Sequence, residues 1–176
     1  MNRATSFAFA LMLVAAAPPA AVSETIEEDA TALPRNRFVW NDTGTGEPLS
    51  IVISLSAQRA FVYRGAQMIG ATTISSGRDG KVTPLGTYPI LQKNAVHRST
   101  IYGSSMPYMQ RLTWDGIAIH AGNNPGFPDS HGCIRVPAAF AKKLFAVTGL
   151  GTPVTVTNDF EDRPAGADVP WVGPSG

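Results

Sequence analysis

Between Ser50 and Gly77 the chain reads SIVISLSAQRAFVYRGAQMIGATTISSG. Ile51, Ile53 and Leu55 alternate with small or polar residues. A period of two places one set of side chains on one face of a strand. A second run, Ala60 to Tyr63, and a third, Met68 to Ser75, flank the turn Arg64-Gly65-Ala66-Gln67. Short β-branched and aromatic runs joined this tightly leave no room for a helix and predict an antiparallel sheet.

The remaining segments extend that reading. Gly77 to Gly86 (GRDGKVTPLG) is a loop rich in turn residues, and Thr87 to Leu91 resumes as a strand. Lys93 to Gln110 shows no period and is expected to be loop. Trp114 to His120 (WDGIAIH) reads as a strand ending on a histidine, with Trp114 expected in the core. Ala121 to Asp129 holds two glycines and two prolines and must be loop. Pro137 to Thr148 has helical spacing, with Phe140, Leu144 and Val147 on one face, Pro137 opening it and Gly149 closing it. Thr152 to Thr157 is a last strand.

The ends differ in character. Residues 1–23 carry Arg3, the apolar run FAFALMLVAAA and then small residues, the pattern of a secretory signal peptide. The run is shorter than the ~20 residues a membrane span needs. Residues 24–48 are polar and turn-rich and read as a leader or linker, with room for one short strand at Arg37 to Trp40. Residues 49–158 form the expected domain, and 159–176 a proline- and glycine-rich tail that Trp171 could dock. A cleaved chain of about 150 residues suits one domain. A formal charge of +1 argues against a nucleic-acid partner. Export is expected, with the periplasm as destination.

The chain has one cysteine, so no internal disulfide can form. Cys133 lies in SHGCIRVP, with Ser130, His131 and Gly132 before it and Arg135 after it. A structural thiol prefers apolar neighbours. These neighbours are polar and cationic, which predicts a lowered thiol pKa and a nucleophile. The helix opening at Pro137 could add its N-terminal dipole. A nucleophile needs a base, and His120, at a strand end, is a more rigid platform than His131. His131 is read as a supporting residue, and His97 as a surface or loop histidine. Gly132 leaves the backbone N–H groups of the turn open to an oxyanion. Arg135 suits a substrate carboxylate. A zinc set of His120, His131 and Cys133 with Asp129 or Asp115 is the alternative, but no paired ligand spacing supports it. No metal or organic cofactor is expected.

IAIHAG followed by SHGCIR resembles the signature of the L,D-transpeptidase catalytic domain, the YkuD-type family. TPLGTY, Thr83 to Tyr88, resembles the family's Thr-Pro-x-Gly-Thr-aromatic segment, and Ile53 to Ile69 its opening hairpin. The resemblance spans Ser50 to Thr157. It implies a mainly β, sandwich-like fold with one or two short helices beside the site. It implies a cysteine acyltransferase on peptidoglycan stem peptides, with Cys133 as nucleophile and His120 as base. The Ala121 carbonyl would orient the imidazole. Ser130, His131 and Gly132 would shape the loop, and N–H groups of Gly132 and Cys133 would form the oxyanion hole. Arg135 matches members with arginine at that position. The loop from His120 to Ser130 is shorter than in several relatives. Carbapenem-type inhibitors would acylate Cys133. The acceptor stays open among a neighbouring stem amine, water and an envelope protein's lysine. A non-catalytic wall-binding module is the rival of another class, and the retained Cys133 and His120 speak against it.

Overall fold

The computed structural model describes residues 26, 29–100 and 102–159. The expected signal peptide and most of the tail, Trp171 included, lie outside them. Among the described residues ten strands form two sheets. The first sheet contains β1 (Phe38–Trp40), β2 (Leu49–Ser54), β3 (Arg59–Arg64), β4 (Gln67–Thr73), β5 (Gly86–Pro89) and β10 (Pro153–Thr157), ordered β1-β4-β3-β2-β10-β5. The second contains β6 (Gln92–Arg98), β7 (Ser105–Arg111), β8 (Ala118–Ala121) and β9 (Ile134–Val136), in that order. The helix Ala138–Val147 packs on β7 and β8.

The opening hairpins form as the alternation dictates. Ile51 and Ile53 face inward, almost fully buried, beside Val62 and Ile69. The core joins these residues to Ile119, Ile134 and Val136 of the second sheet. The helix adds Phe140 and Leu144, and Phe38 and Trp40 meet the Phe140 ring edge-on at 5.8 and 5.6 Å. Not every pairing is antiparallel: β10 pairs with β2, and β8 with β9, in parallel. The second of these needs a crossover, which residues 122–133 supply as a loop.

Two expectations fail. The segment Lys93 to Gln110 belongs largely to strands β6 and β7 rather than to a loop. Strand β6 is mostly exposed, so it carries no apolar face and no alternation to read. Strand β7 is also irregular at Tyr108, whose φ is 56°, although the register with β6 holds on both sides of it: Asn94 pairs Met109 and Val96 pairs Pro107. The second failure is the linker. Ile26 and Ala30 pack on Phe61, Met68 and Ala71, the far face of β3 and β4. Arg59 holds them there, donating to the carbonyls of Ala30, Thr31 and Leu33 at 3.0, 3.2 and 3.0 Å. Strand β1, which the sequence allowed, pairs with β4. A sheet with apolar residues on both faces needs a cover on each, and the N-terminal segment is the second cover.

Candidate active site

Strands β8 and β9 set the site. Their parallel register places His120 opposite Arg135 and Ile119 opposite Ile134. Alternation sends Ile119 and Ile134 into the core, while Ala118, His120, Cys133 and Arg135 line a cavity of about 510 Å³. The cavity is walled elsewhere by His97, Tyr102 and Arg111 of the β6–β7 region and by Trp114.

His120 is 7% exposed. Its Nδ1 sits 2.8 Å from the Ala121 carbonyl oxygen, so Nδ1 carries the hydrogen and donates it. That tautomer leaves Nε2 as an acceptor. Burial holds His120 below its ordinary pKa; the Ala121 bond opposes this, and Arg135 and His97 add to it. The ring is therefore neutral at pH 7 and able to take a proton.

Cys133 is half-buried, just before β9, against Met106, Met109 and Ala118. Its Sγ–H donates to the Gly116 carbonyl at 3.3 Å. Burial pushes the thiol pKa up, and the Ala118 N–H, Arg135 and Arg111 only partly offset it. This corrects the expectation of a lowered pKa: cationic neighbours are present, but desolvation outweighs them. The helix does not help either, because β9 stands between Cys133 and the helix start.

The loop around the thiol is pinned from several sides. Ser130 Oγ accepts the Gly132 N–H at 3.0 Å and donates to the Cys133 carbonyl at 2.5 Å. The Gly132 N–H is thus already engaged, which corrects its assignment to an oxyanion hole. Gly132 has φ 114°, where a side chain would be strained. His131 Nε2 lies 3.0 Å from Arg78, and Tyr102 stacks on its ring at 4.7 Å. Arg135 donates to Asp129 at 3.2 Å, so its guanidinium already has one carboxylate partner. Asn124, which the sequence reading passed over, fixes the crossover loop by donating to the Thr73 carbonyl at 2.6 Å and accepting from the Gly126 N–H at 3.0 Å.

Other residues sit differently from expectation. Trp114 is 74% exposed at the cavity edge rather than in the core, because the turn Thr113 to Gly116 precedes β8 and carries it outward. His97 lies on β6 and lines the cavity. Among the described residues no group of three or more His, Cys, Asp or Glu is placed to hold a metal ion. Among them, too, no helix is long and apolar enough to cross a membrane.

The chain is similar to known proteins over much of its length. L,D-transpeptidase 1 of Mycobacterium tuberculosis is 27% identical over 129 residues, which is 64% of this chain and 51% of that protein. The chain thus spans about half the length of this curated relative. A solved L,D-transpeptidase from Mycobacterium tuberculosis superposes with a TM-score of 0.59 at 26% identity, over 64% of this chain and 58% of that one. A structure of an L,D-transpeptidase in complex with imipenem matches equally, with a TM-score of 0.59, 26% identity, and coverage of 64% and 60%. Residues 48–156, from the second strand through the last, match the L,D-transpeptidase catalytic domain, YkuD, and on that match the chain belongs to this family.

Proposed function

We propose that the protein is a cysteine L,D-transpeptidase that cross-links peptidoglycan stems. The observation that carries the reading is His120. Its Nδ1 is committed to the Ala121 carbonyl, which leaves Nε2 basic on the same cavity-lining face as Cys133.

In this reading His120 Nε2 takes the Cys133 proton as Sγ attacks the carbonyl of the third stem residue. The C–N bond to D-alanine then breaks, and imidazolium returns the proton to the leaving amine. A thioester remains on Cys133. A side-chain amine of a neighbouring stem attacks it, losing a proton to His120, and thiol and cross-link are released. The neutral thiol and neutral imidazole suit this order, since the proton moves during attack rather than before it. Arg135, at the cavity wall, offers its remaining donors to a stem carboxylate. An exported, periplasmic protein is part of the proposal, because the substrate is the wall.

Incubation with purified tetrapeptide stems, followed by mass spectrometry, tests it. Cross-linked dimers and free D-alanine are expected, and shortened monomers alone would point to water as acceptor. Imipenem is expected to add its mass to Cys133. A Cys133→Ala protein that still turned over stems would remove the assignment.

A further inference from the structure

Thr83 stands behind the thiol loop. It is 3% exposed, and it does not line the cavity, whereas Ser130, His131 and Cys133 do. Its hydroxyl donates to the Gly132 carbonyl at 2.8 Å and accepts the Gly77 N–H at 2.9 Å. One hydrogen and one lone pair are thus both committed, and each partner is main chain.

The Gly132 carbonyl and the Cys133 N–H belong to one peptide unit. No peptide bond among the described residues is cis. In a planar trans peptide the C=O and N–H point in opposite directions. A hydroxyl that captures the carbonyl from behind therefore aims the N–H forward, away from Thr83. The neighbouring donor is not available for the same task, since the Gly132 N–H is engaged by Ser130 Oγ. No hydrogen bond from the Cys133 N–H is found among the described residues.

We infer that Thr83 is a positioning residue for acyl transfer, holding the Cys133 N–H toward the oxygen that becomes negative when Cys133 attacks a carbonyl. This rests on the acyl-transfer reading above. It gives the first residue of the TPLGTY segment a task in the chemistry although it touches no substrate. It also explains why a hydroxyl is needed: valine matches the shape but can neither donate to Gly132 nor accept from Gly77.

The test compares two reactions of the same thiol. Alkylation by iodoacetamide develops no oxyanion. Acylation by imipenem does, and losing one such donor costs about 10²–10³-fold. For Thr83→Val the imipenem acylation rate is expected to fall about a hundredfold, with the iodoacetamide rate within about threefold of the parent, and Thr83→Ser is expected to recover most of the loss. Equal losses in both reactions would mean that Thr83 only maintains the loop, and would overturn the inference. So would an unchanged acylation rate in Thr83→Val. A parent protein that imipenem does not acylate, while iodoacetamide still alkylates it, would sink the acyl-transfer reading itself and the inference with it.

Discussion

Replacing Gly132 by alanine probes the thiol loop most directly. Its φ of 114° lies where side chains are rarely accommodated, and strain there costs about 1–3 kcal/mol. The new Cβ would also stand 2.9 Å from Ile117 Cδ1. That atom ends a flexible side chain, so it can turn aside for about 0.5–1.5 kcal/mol. The backbone could escape instead by rotating. It would then break the N–H bond to Ser130 and the C=O bond to Thr83, at about 1–3 kcal/mol for each buried group. The first route costs about 1.5–4.5 kcal/mol and the second about 2–6 kcal/mol, a large share of the ~5–15 kcal/mol that holds a domain together. Urea denaturation should show a lower midpoint with an unchanged slope, and thermal melting a Tm lower by about 10 °C. Acylation should slow as well, because both routes move the Cys133 peptide. A Gly132→Ala protein as stable as the parent would refute this account of the loop.

The titration shifts and the hairpin anchor give further predictions. Because burial raises the Cys133 thiol, iodoacetamide should react slowly at pH 7 and speed up only as pH passes the ordinary value of 9.0; a reactive plateau at acid pH would contradict this. Stability should fall at both ends of the pH range. Folding lowers the His120 pKa, so the unfolded chain binds more protons and stability is lost as pH drops from 6.5 through the lowered value. Folding raises the Cys133 pKa, so stability is lost as pH climbs from 9.0 through the raised value. Urea midpoints across that range test both limbs, and His120→Gln should flatten the acid one. Lys93 Nζ donates to the Phe145 and Thr148 carbonyls at 2.7 and 2.5 Å and lies 4.4 Å over the Phe145 ring. Lys93→Met should cost about 2 kcal/mol, read by thermal melting, and unchanged melting would show the anchor to be idle.

The parts of the fold that the sequence revealed are those with a buried face. Strand β2 alternates because one side packs on the core, β3 and β4 read as apolar runs because both their faces are covered, and the helix shows its period because Phe140 and Leu144 pack inward. Strands β6 and β7 were invisible for the converse reason. Their hydrogen-bonded pairing holds them, β6 has almost no buried face, and Pro107 sits within β7. The same rule governs the site. His120 could be found because it ends an apolar strand, and Cys133 because it is the sole thiol. Thr83 stood in a motif, but no pattern says that its hydroxyl reaches a carbonyl 49 residues away. Arg111 and His97 reach the cavity on strands that carried no signal.

Arg135 shows why nearness in sequence misjudges charge. Two residues from the thiol, it promised a thiolate. In the fold its register partner is His120, so its charge acts on both groups at once: it pulls the thiol pKa down and depresses the imidazole as well. Asp129 partly neutralises it at 3.2 Å. Burial then decides both protonation states, keeping the hydrogen on sulfur and the imidazole free to accept it. A buried thiolate–imidazolium pair would have carried the desolvation cost of two ions. The neutral pair avoids that cost at rest. In the proposed reaction charge appears only during attack, when a substrate carbonyl and the Cys133 N–H are present to receive it. The Arg135–Asp129 pair is partly exposed, and such pairs contribute about 0–1 kcal/mol, so an incoming carboxylate can draw on the guanidinium without dismantling the site.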